Sequence, residues 1–291
     1  EEADVVVALG PRLGDVTTAG YTRLRGPEAA QGLVHVHPDP AELGRVYRPA
    51  LAIAADVTAV AEAMAALPAL DPAPWRAWVE AARGDYLAWR TPPEPRGGGG
   101  HVDLGAVMVE LRRQLPPDAI VASGAGNYTG WVHRFLSFSR FRTQLAPTGG
   151  AMGYGFPAAL AAKVVHPDRE VVAVAGDGCF LMAAQELATA VGADLPVVVL
   201  VVNNHAYGTI RLHQERRYPG RPIGTDLHNP DFASYARAFG AYGETVTTTD
   251  AFPAALERAR GAGRPALLEL VVDPEVLTPT TTLADLRAAH P

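Results

Sequence analysis

The chain has 291 residues, of which 48% are apolar and 19% are charged, so its composition is that of a globular protein able to bury a core. Its 25 Lys and Arg against 31 Asp and Glu give a formal charge of −6, which disfavours nucleic acid and anionic membranes as partners, and no apolar run approaches the roughly 20 residues of a membrane helix. Cys179 is the single cysteine, which excludes an intramolecular disulfide and a cysteine-cluster metal site and favours a reducing, cytoplasmic location.

Short β-branched runs alternate with amphipathic stretches, a rhythm typical of parallel sheets joined by helical crossovers. In the first part of the chain we predict three buried strands, at 4–9, 33–37 and 51–54, and two helices, at 57–67 and 74–89. Asp56 is the predicted N-cap of the first helix. The second helix carries aromatic residues at helical spacing, which favours packing over a cofactor site. These residues are Trp75, Trp78, Tyr86 and Trp89.

Prolines followed by four consecutive glycines predict a linker at residues 91–101. We expect part of one α/β domain at 1–90, which the chain enters midway, and a complete α/β domain at 102–291. The second domain has predicted strands at 119–122, 170–175, 197–202, 242–246 and 266–272, and predicted helices at 104–115, 180–191 and 251–260. Asp103 and Asp250 are predicted to cap the first and last of these helices. The predicted fold is a parallel-sheet domain with helices on both faces, preceded by part of a second Rossmann-like α/β domain.

The most informative stretch is an apolar strand that ends in Gly176-Asp177-Gly178. This sequence places a carboxylate at the carboxyl end of a parallel strand, where open α/β sheets bind ligands. Glycines on both sides would let a phosphate approach the backbone, and the next helix would begin at the same place. Alone the motif is ambiguous, because Gly-Asp-Gly is also a common tight turn.

A second apolar strand ends in Asn203-Asn204, and 24 residues separate Gly178 from Asn203. That spacing accommodates one helix and one strand, so the two strand ends should lie side by side. Asp177 and an asparagine would then face one cleft, and carboxylate, amide and carbonyl oxygens suit Mg²⁺. An Asn-Asn turn that merely ends a strand is the alternative for this motif taken by itself.

Together these motifs resemble the thiamine-diphosphate-dependent enzymes acting on 2-oxo acids, whose signature is Gly-Asp-Gly, about two dozen residues and then Asn-Asn. The segment from Thr148 to Ala159 is similar to the Gly-x-Met-Gly-x-Gly-x-Pro-Ala segment of acetolactate synthases and their relatives, and Gln185 to Ala190 is similar to the helix after Gly-Asp-Gly in that group. The resemblance covers Leu104 to about Thr282 as the family's diphosphate-binding domain. It also covers residues 1 to about 70 as the later part of its central domain.

The resemblance implies a binding role for thirteen residues. Mg²⁺ would be bound by Asp177, the side chain of Asn204 and the carbonyl of Ala206. Backbone amides of Gly178 and Cys179 would hold the diphosphate, Asn127 and Tyr128 would reach it, and the carbonyl of Gly150 and the amide of Met152 would bind the pyrimidine edge of the cofactor. Cys179 replaces a serine that is frequent in the family and is first a small packing residue. The other implied cofactor contacts are Gly176, Tyr207, Gly208 and Thr209.

Met152 has an implied catalytic role, because in the family a bulky apolar side chain under the cofactor holds its two rings in a V conformation. Methionine is an unbranched side chain suited to such a wedge, although it could also be a simple core residue. The family's activating glutamate lies in a separate amino-terminal domain, to which no segment of this sequence corresponds. We therefore expect the later half of a longer polypeptide, inactive alone, which forms a homo-oligomer with the cofactor at a subunit interface.

The implied function is decarboxylation or carboligation of a 2-oxo acid by an acetolactate-synthase-like enzyme that depends on thiamine diphosphate and Mg²⁺. The alternatives are a simple 2-oxo acid decarboxylase resembling benzoylformate decarboxylase, or a non-catalytic diphosphate- or nucleotide-binding module. Thr209 stands where acetolactate synthases tend to carry methionine, and this departure from their pattern counts against that exact activity. Some relatives bind FAD, but the absence of Gly-x-Gly-x-x-Gly and the presence of His37, where many relatives carry aspartate, disfavour FAD here.

Two further segments are candidates for substrate contact. His205 could act as an acid or base near neutral pH, although its side chain should point away from the strand end. Residues 211–221 are basic and long enough for a lid, but the pattern favours a solvated charged loop.

Overall fold

A computed structural model of the chain describes residues 2–24, 31–94 and 100–289. The chain divides into two compact units, Glu1–Val79 and Glu80–Pro291, each of which is described by itself. Part of the predicted linker, residues 95–99, lies outside the described residues. Within the described ranges, no helix combines the length and the apolar character needed to cross a bilayer.

The first unit contains a parallel sheet with the order β1-β2-β3. Its elements are β1 (Val5–Leu9), β2 (Gly32–His37), β3 (Leu51–Ala54), α1 (Val57–Ala65) and the start of α2 (Arg76–Trp89). The predicted cap is confirmed, because an oxygen of Asp56 accepts a hydrogen bond from the amide of Thr58 at 2.8 Å. The prediction of three buried strands is wrong for β1 and β3, in which Val5 and Leu51 are 58% and 52% exposed. No residue of α1 is fully buried.

The aromatic residues of α2 are less buried than their spacing predicts. Tyr86 and Trp89 stack with ring centroids 6.5 Å apart, and the guanidinium of Arg134 lies 5.1 Å from the Trp89 ring centroid. The rings of Trp75, Trp78, Tyr86 and Trp89 nevertheless all remain substantially exposed. The predicted packing of these aromatic residues is therefore only partly present.

The second unit is an α/β domain whose central sheet has six parallel strands in the order β5-β4-β6-β7-β9-β8. In chain order its elements are α3 (Leu104–Gln114), β4 (Ile120–Ser123), α4 (Thr129–Phe135), β5 (Gln144–Leu145), α5 (Gly155–Val165), β6 (Val171–Gly176), α6 (Asp177–Leu181), α7 (Leu187–Gly192), β7 (Val198–Asn203), α8 (Gly208–Arg217), α9 (Phe232–Ala238), β8 (Tyr242–Val246), α10 (Phe252–Gly261), β9 (Ala266–Val271), β10 (Val276–Thr278), β11 (Thr281–Thr282) and α11 (Leu283–Ala288). β10 and β11 form a separate antiparallel pair.

Helices cover both faces of this sheet, as predicted. Alternate residues along each strand point to opposite faces, so one strand supplies both cores: Val172 and Val174 pack with α3, α4 and α10, whereas Val171 and Ala173 pack with α5, α7 and α9. Each fully buried aliphatic or aromatic side chain contributes roughly 1.5–3 kcal/mol to folding. The predicted cap Asp103 is also confirmed, since it accepts from the amides of Gly105 and Ala106.

One predicted helix start and one predicted N-cap in the second unit are wrong. The helix predicted at 180–191 begins instead at Asp177 and is interrupted near Ala183, so that α6 and α7 are separate short helices. Asp250 does not cap α10; it lies within a 3₁₀ turn at Thr249–Ala251, and the helix starts at Phe252 with a proline in its first turn.

The predicted basic loop at 211–221 is also largely wrong, because α8 continues to Arg217. One face of this helix is buried: Leu212 packs with Leu283 of α11, and Glu215 is fully buried. The guanidinium of Arg287 in α11 donates to both oxygens of Glu215, at 2.6 and 3.1 Å. A buried carboxylate needs such a partner, so α11 is held firmly against α8.

Replacement of Gly155 by alanine should destabilise the second unit by about 1–3 kcal/mol. An added Cβ would lie 2.7 Å from the amide nitrogen of Gly124 and 2.8 Å from the carbonyl carbon of Ser123, and these backbone atoms of the β4 end cannot move aside cheaply. Gly149→Ala is the matched control, since nothing lies within 4 Å of its Cβ position. Denaturant unfolding of both variants measures the difference, and equal stabilities would contradict the close packing of α5 on β4.

Candidate functional site

A cleft of about 260 Å³ lies where β4, β6 and β7 end, at the carboxyl edge of the parallel sheet. All thirteen residues that the sequence assigns to cofactor or metal line this one cleft. They are Asn127, Tyr128, Gly150, Met152, Gly176, Asp177, Gly178, Cys179, Asn204, Ala206, Tyr207, Gly208 and Thr209. The sequence did not predict four further lining residues, Ala125, Gly126, Val202 and Ile210.

Asp177 opens α6 directly after β6 and is only 3% exposed. Its Oδ1 accepts a hydrogen bond from the amide of Gly178 at 2.9 Å, and its Oδ2 accepts from Nδ2 of Asn229 at 2.8 Å. Burial raises the pKa of the Asp177 carboxyl above its ordinary value, although these two hydrogen bonds and His205 act in the opposite direction. A buried carboxylate of this kind is suited to pairing with a cation.

The two asparagines at the end of β7 have different surroundings. Asn203 is 1% exposed and its Nδ2 donates to Glu269 of β9 at 2.7 Å. Asn204 lines the cleft, and its Oδ1 accepts from the amide of Ala206 at 3.2 Å. The carbonyl of Ala206 in turn accepts from the amide of Gly208 at 2.9 Å. Residues that carry carboxylate, amide and carbonyl oxygens, from the ends of two neighbouring strands, therefore line one cavity.

His205 is exposed and is not among the residues that line the cleft. Its φ of +54° places the backbone in the left-handed region, which a non-glycine residue seldom adopts. That turn directs the chain from Asn204 to Ala206, both of which line the cleft. The geometry therefore gives His205 a role in the turn and none at the cleft surface.

Polar side chains from three further segments also meet at the cleft. Oγ1 of Thr209 donates to Oδ1 of Asn127 at 2.8 Å, while Nδ2 of Asn127 is buried and has no hydrogen-bond partner among the described residues. The hydroxyl of Tyr128 and the amide of Gly153 both donate to Sγ of Cys179, at 3.5 and 3.2 Å. Burial beside Cys179 raises the pKa of the Tyr128 hydroxyl. An unpartnered amide donor at a cleft wall is available to an anionic group.

Glycines bring the backbone unusually close to neighbouring side chains here. A Cβ on Gly178 would lie 2.6 Å from the ring of Tyr207, and one on Gly208 would lie 3.0 Å from Nδ2 of Asn204. Any larger residue would fill or displace the floor of the cleft. These two glycines thus keep the space between β6 and β7 open.

Sequence reasoning missed two residues behind the cleft, the partly buried Asn229 and the buried Glu269. Nothing in the spacing marks Asn229, because it comes from a loop whose path is set by tertiary contacts. Glu269 did leave a signal: it lies within the apolar run Ala266–Val271, and a charge inside a buried strand requires a partner.

Metal binding at this cleft would depend on mixed oxygen ligands. In the part of the chain that the structure describes, no group of three or more His, Cys, Asp or Glu side chains is arranged to hold a metal ion. The set formed by Asp177, Asn204 and Ala206 has one carboxylate and two neutral oxygens. Such hard ligands suit a cation that keeps water and phosphate ligands of its own, as Mg²⁺ does.

Comparison with known families identifies the class. The C-terminal TPP binding domain of the thiamine pyrophosphate enzymes matches residues 124–270, which is just over half of the chain and contains the whole cleft. The central domain of the same enzymes matches residues 1–64. The chain belongs to the thiamine pyrophosphate enzyme family.

Several curated relatives are acetolactate synthases. The chain is 32% identical over 286 residues to the acetolactate synthase large subunit of Corynebacterium glutamicum, with 94% of this chain and 44% of the relative covered. It is 30% identical over 275 residues to the acetolactate synthase isozyme 2 large subunit of Escherichia coli, covering 94% and 48%. For the probable acetolactate synthase large subunit of Methanocaldococcus jannaschii, the identity is 34% over 288 residues, covering 96% and 48%. The chain spans about half the length of these relatives.

A solved structure shares the fold. The thiamine diphosphate-dependent 4-hydroxybenzoylformate decarboxylase of Rhodococcus jostii superposes with a TM-score of 0.73 at 24% identity, over 94% of this chain and 49% of that one. At this identity the likeness establishes the fold, which agrees with the predicted α/β architecture.

Proposed function

We propose that the cleft binds thiamine diphosphate through Mg²⁺. The observation that carries the proposal is the convergence of Asp177 and Asn204, from the ends of two neighbouring strands, on one cavity. Mg²⁺ would be held by the Asp177 carboxylate, the Asn204 side chain and the Ala206 carbonyl. The membership of residues 124–270 in a TPP binding domain supports the same assignment.

The diphosphate would lie against the first turn of α6 and the unpartnered amide of Asn127. The amide of Cys179 is suited to donate to it, whereas the amide of Gly178 already donates to Asp177, so its predicted role requires a shared hydrogen bond. Gly150 and Met152 line the cleft and would contact the pyrimidine part of the cofactor. When bound, thiamine diphosphate supplies the electron sink for decarboxylation of a 2-oxo acid.

We further propose acetolactate-synthase-like decarboxylation and carboligation, because the curated relatives described above carry that name. A simple 2-oxo acid decarboxylase is the second candidate, favoured by Thr209 at the cleft, where acetolactate synthases tend to have methionine. Product analysis with pyruvate and an acceptor aldehyde separates the two, since carboligation yields a new carbon–carbon bond. A non-catalytic module would instead bind ADP and thiamine diphosphate equally well and show no turnover.

The activating glutamate and the other half of the cofactor pocket are proposed to come from residues outside this sequence, across a homo-oligomer interface. The proposal rests on the half-length coverage of the relatives. The coding sequence upstream of Glu1 tests it directly. Lack of a glutamate-bearing domain there would contradict the assignment of this chain to an active subunit.

Mg²⁺ affinity should fall as the pH is lowered, with a midpoint above the ordinary aspartate pKa of about 3.9. Burial disfavours the charged form of Asp177 and raises its pKa, so this carboxyl takes up a proton at a higher pH than an exposed one does. Only the ionised form binds a cation. Without a cation, the sign for stability is the reverse: the neutral carboxyl favours folding, and that contribution is lost as pH rises through the raised pKa. Calorimetric titrations at several pH values measure the effect, which a pH-independent affinity would refute.

A further inference from the structure

A chain of hydrogen-bonded polar side chains, buried except for the partly buried Asn229, runs from β9 through β7 to the carboxylate assigned to the cation. Glu269 of β9 is 6% exposed, and its two oxygens accept from Nδ2 of Asn203 at 2.7 Å and from the hydroxyl of Thr245 at 2.9 Å. A carboxylate inside a parallel sheet costs free energy unless its oxygens accept hydrogen bonds. Both oxygens of Glu269 accept such bonds, so Glu269 is a stable first member of this chain of hydrogen bonds.

Glu269 determines the direction of the next hydrogen bonds. Its oxygens accept from Asn203 and Thr245, so the amide of Asn203 turns its NH₂ group toward β9 and its Oδ1 away from it. That Oδ1 accepts from the amide of His205 at 3.1 Å and from Nδ2 of Asn229 at 2.8 Å. The orientation of one asparagine is thereby passed on to the next.

Asn229 connects this chain to the cleft. Its Nδ2 donates both to Oδ1 of Asn203 and to Oδ2 of Asp177, each at 2.8 Å. Its own Oδ1 is buried without a hydrogen-bond partner among the described residues. Turning the amide over would place that oxygen against two acceptor oxygens, so its neighbours permit one orientation.

We propose that Asn229 and Glu269 are positioning residues, which hold the Asp177 carboxylate in the orientation needed to bind a divalent cation. The inference rests on the proposed function of the cleft. Oδ1 of Asp177 is oriented by the amide of Gly178 and Oδ2 by Asn229, so donors from two segments fix the plane of the carboxylate. Neither Asn229 nor Glu269 lines the cleft, and both act through other residues.

The first test is Asn229→Leu, which keeps the size of the side chain and removes both hydrogen bonds. Calorimetry on the full-length protein measures the Mg²⁺-dependent binding of thiamine diphosphate. In this variant, binding should require about 10- to 100-fold more Mg²⁺. Asp231→Ala is the matched control in the same loop, since it removes the N-cap of α9 and should lower the melting temperature without changing Mg²⁺ affinity. Unchanged Mg²⁺ affinity in Asn229→Leu would overturn the proposal.

The second test uses Glu269. Glu269→Gln keeps an acceptor for Asn203 and should retain Mg²⁺ affinity within about threefold, whereas Glu269→Leu should lose it as Asn229→Leu does. The double variant should lose no more than either single variant, because both changes break one chain of hydrogen bonds. A loss of Mg²⁺ affinity in the double variant equal to the product of the two single losses would contradict the proposal. If Glu269→Leu does not fold, Glu269→Gln and Asn229→Leu still decide it.

A parallel titration of Asp177→Ala distinguishes this inference from the proposed function. Mg²⁺-dependent binding that survives Asp177→Ala would refute the cation site itself. Loss of binding in Asp177→Ala with full binding in Asn229→Leu would leave the cation site in place and reject only the positioning role.

Discussion

Replacing Asp177 with alanine should abolish Mg²⁺-dependent cofactor binding while the fold persists. Asp177 supplies the only carboxylate among the proposed cation ligands, so its loss leaves two neutral oxygens in the cleft. We expect Mg²⁺ affinity to fall by more than about 100-fold. Folding should change by only about 1–2 kcal/mol, since the lost hydrogen bonds from Gly178 and Asn229 are offset by the removal of a buried charge.

Two controls sharpen this experiment. Asp177→Asn keeps the size of the side chain and removes the charge, so equal loss in both variants would assign the effect to charge rather than packing. Asp168→Ala removes an exposed carboxylate just before the opposite end of the same strand and should leave affinity unchanged. Full calorimetric affinity in Asp177→Ala, with circular dichroism unaltered, would reject the metal assignment.

Met152→Gly should lower turnover far more than cofactor affinity. Met152 lines the cleft, is partly buried and packs against the core beside α3 and α4, so its side chain is held in place at the cavity wall. If it supports the bent cofactor, its loss would misplace the reacting groups and reduce kcat by about 100-fold. The diphosphate and metal contacts would persist, so the affinity for thiamine diphosphate should change by less than about threefold.

Met152→Leu is the matched control, because it keeps most of the apolar volume and should retain most of the turnover. Both variants are made in the full-length protein, and kcat is measured together with the dissociation constant for the cofactor. Equal losses in kcat and in cofactor affinity for Met152→Gly would mean that the residue only fills the core.

The sequence predicted the middle of the central sheet because β6 and β7 are apolar, largely β-branched runs that are buried along almost their whole length. All five strands predicted in this domain agree with the structure within one residue at each end, whereas the short edge strand β5 was not predicted. The placement of Asp177 beside an asparagine at the end of β7 also followed from the spacing, since parallel strands joined by one crossover end at the same edge. Local pattern and topology were sufficient for these features. The choice of Asn204 over Asn203 came from the family resemblance.

Features that depend on tertiary contacts were not predictable in this way. The interruption near Ala183 lies in a run with good helix propensity, where nothing local requires a break. Asn229 reaches Asp177 from 52 positions away, through a loop without periodicity. Exposure of β1 and β3 was missed because an apolar run reports the preference of a strand for burial and not whether a neighbouring element covers it.

The contact between Arg287 and Glu215 has a consequence for the cleft wall. α8 begins at Gly208, which lines the cavity, and the ion pair joins the far end of this helix to α11. Replacement of Arg287 by alanine would leave the buried Glu215 carboxylate without its cationic partner and would loosen the packing of α8 on α11. A substitution remote from the cavity could therefore weaken ligand binding by disturbing the helix whose first residues line it.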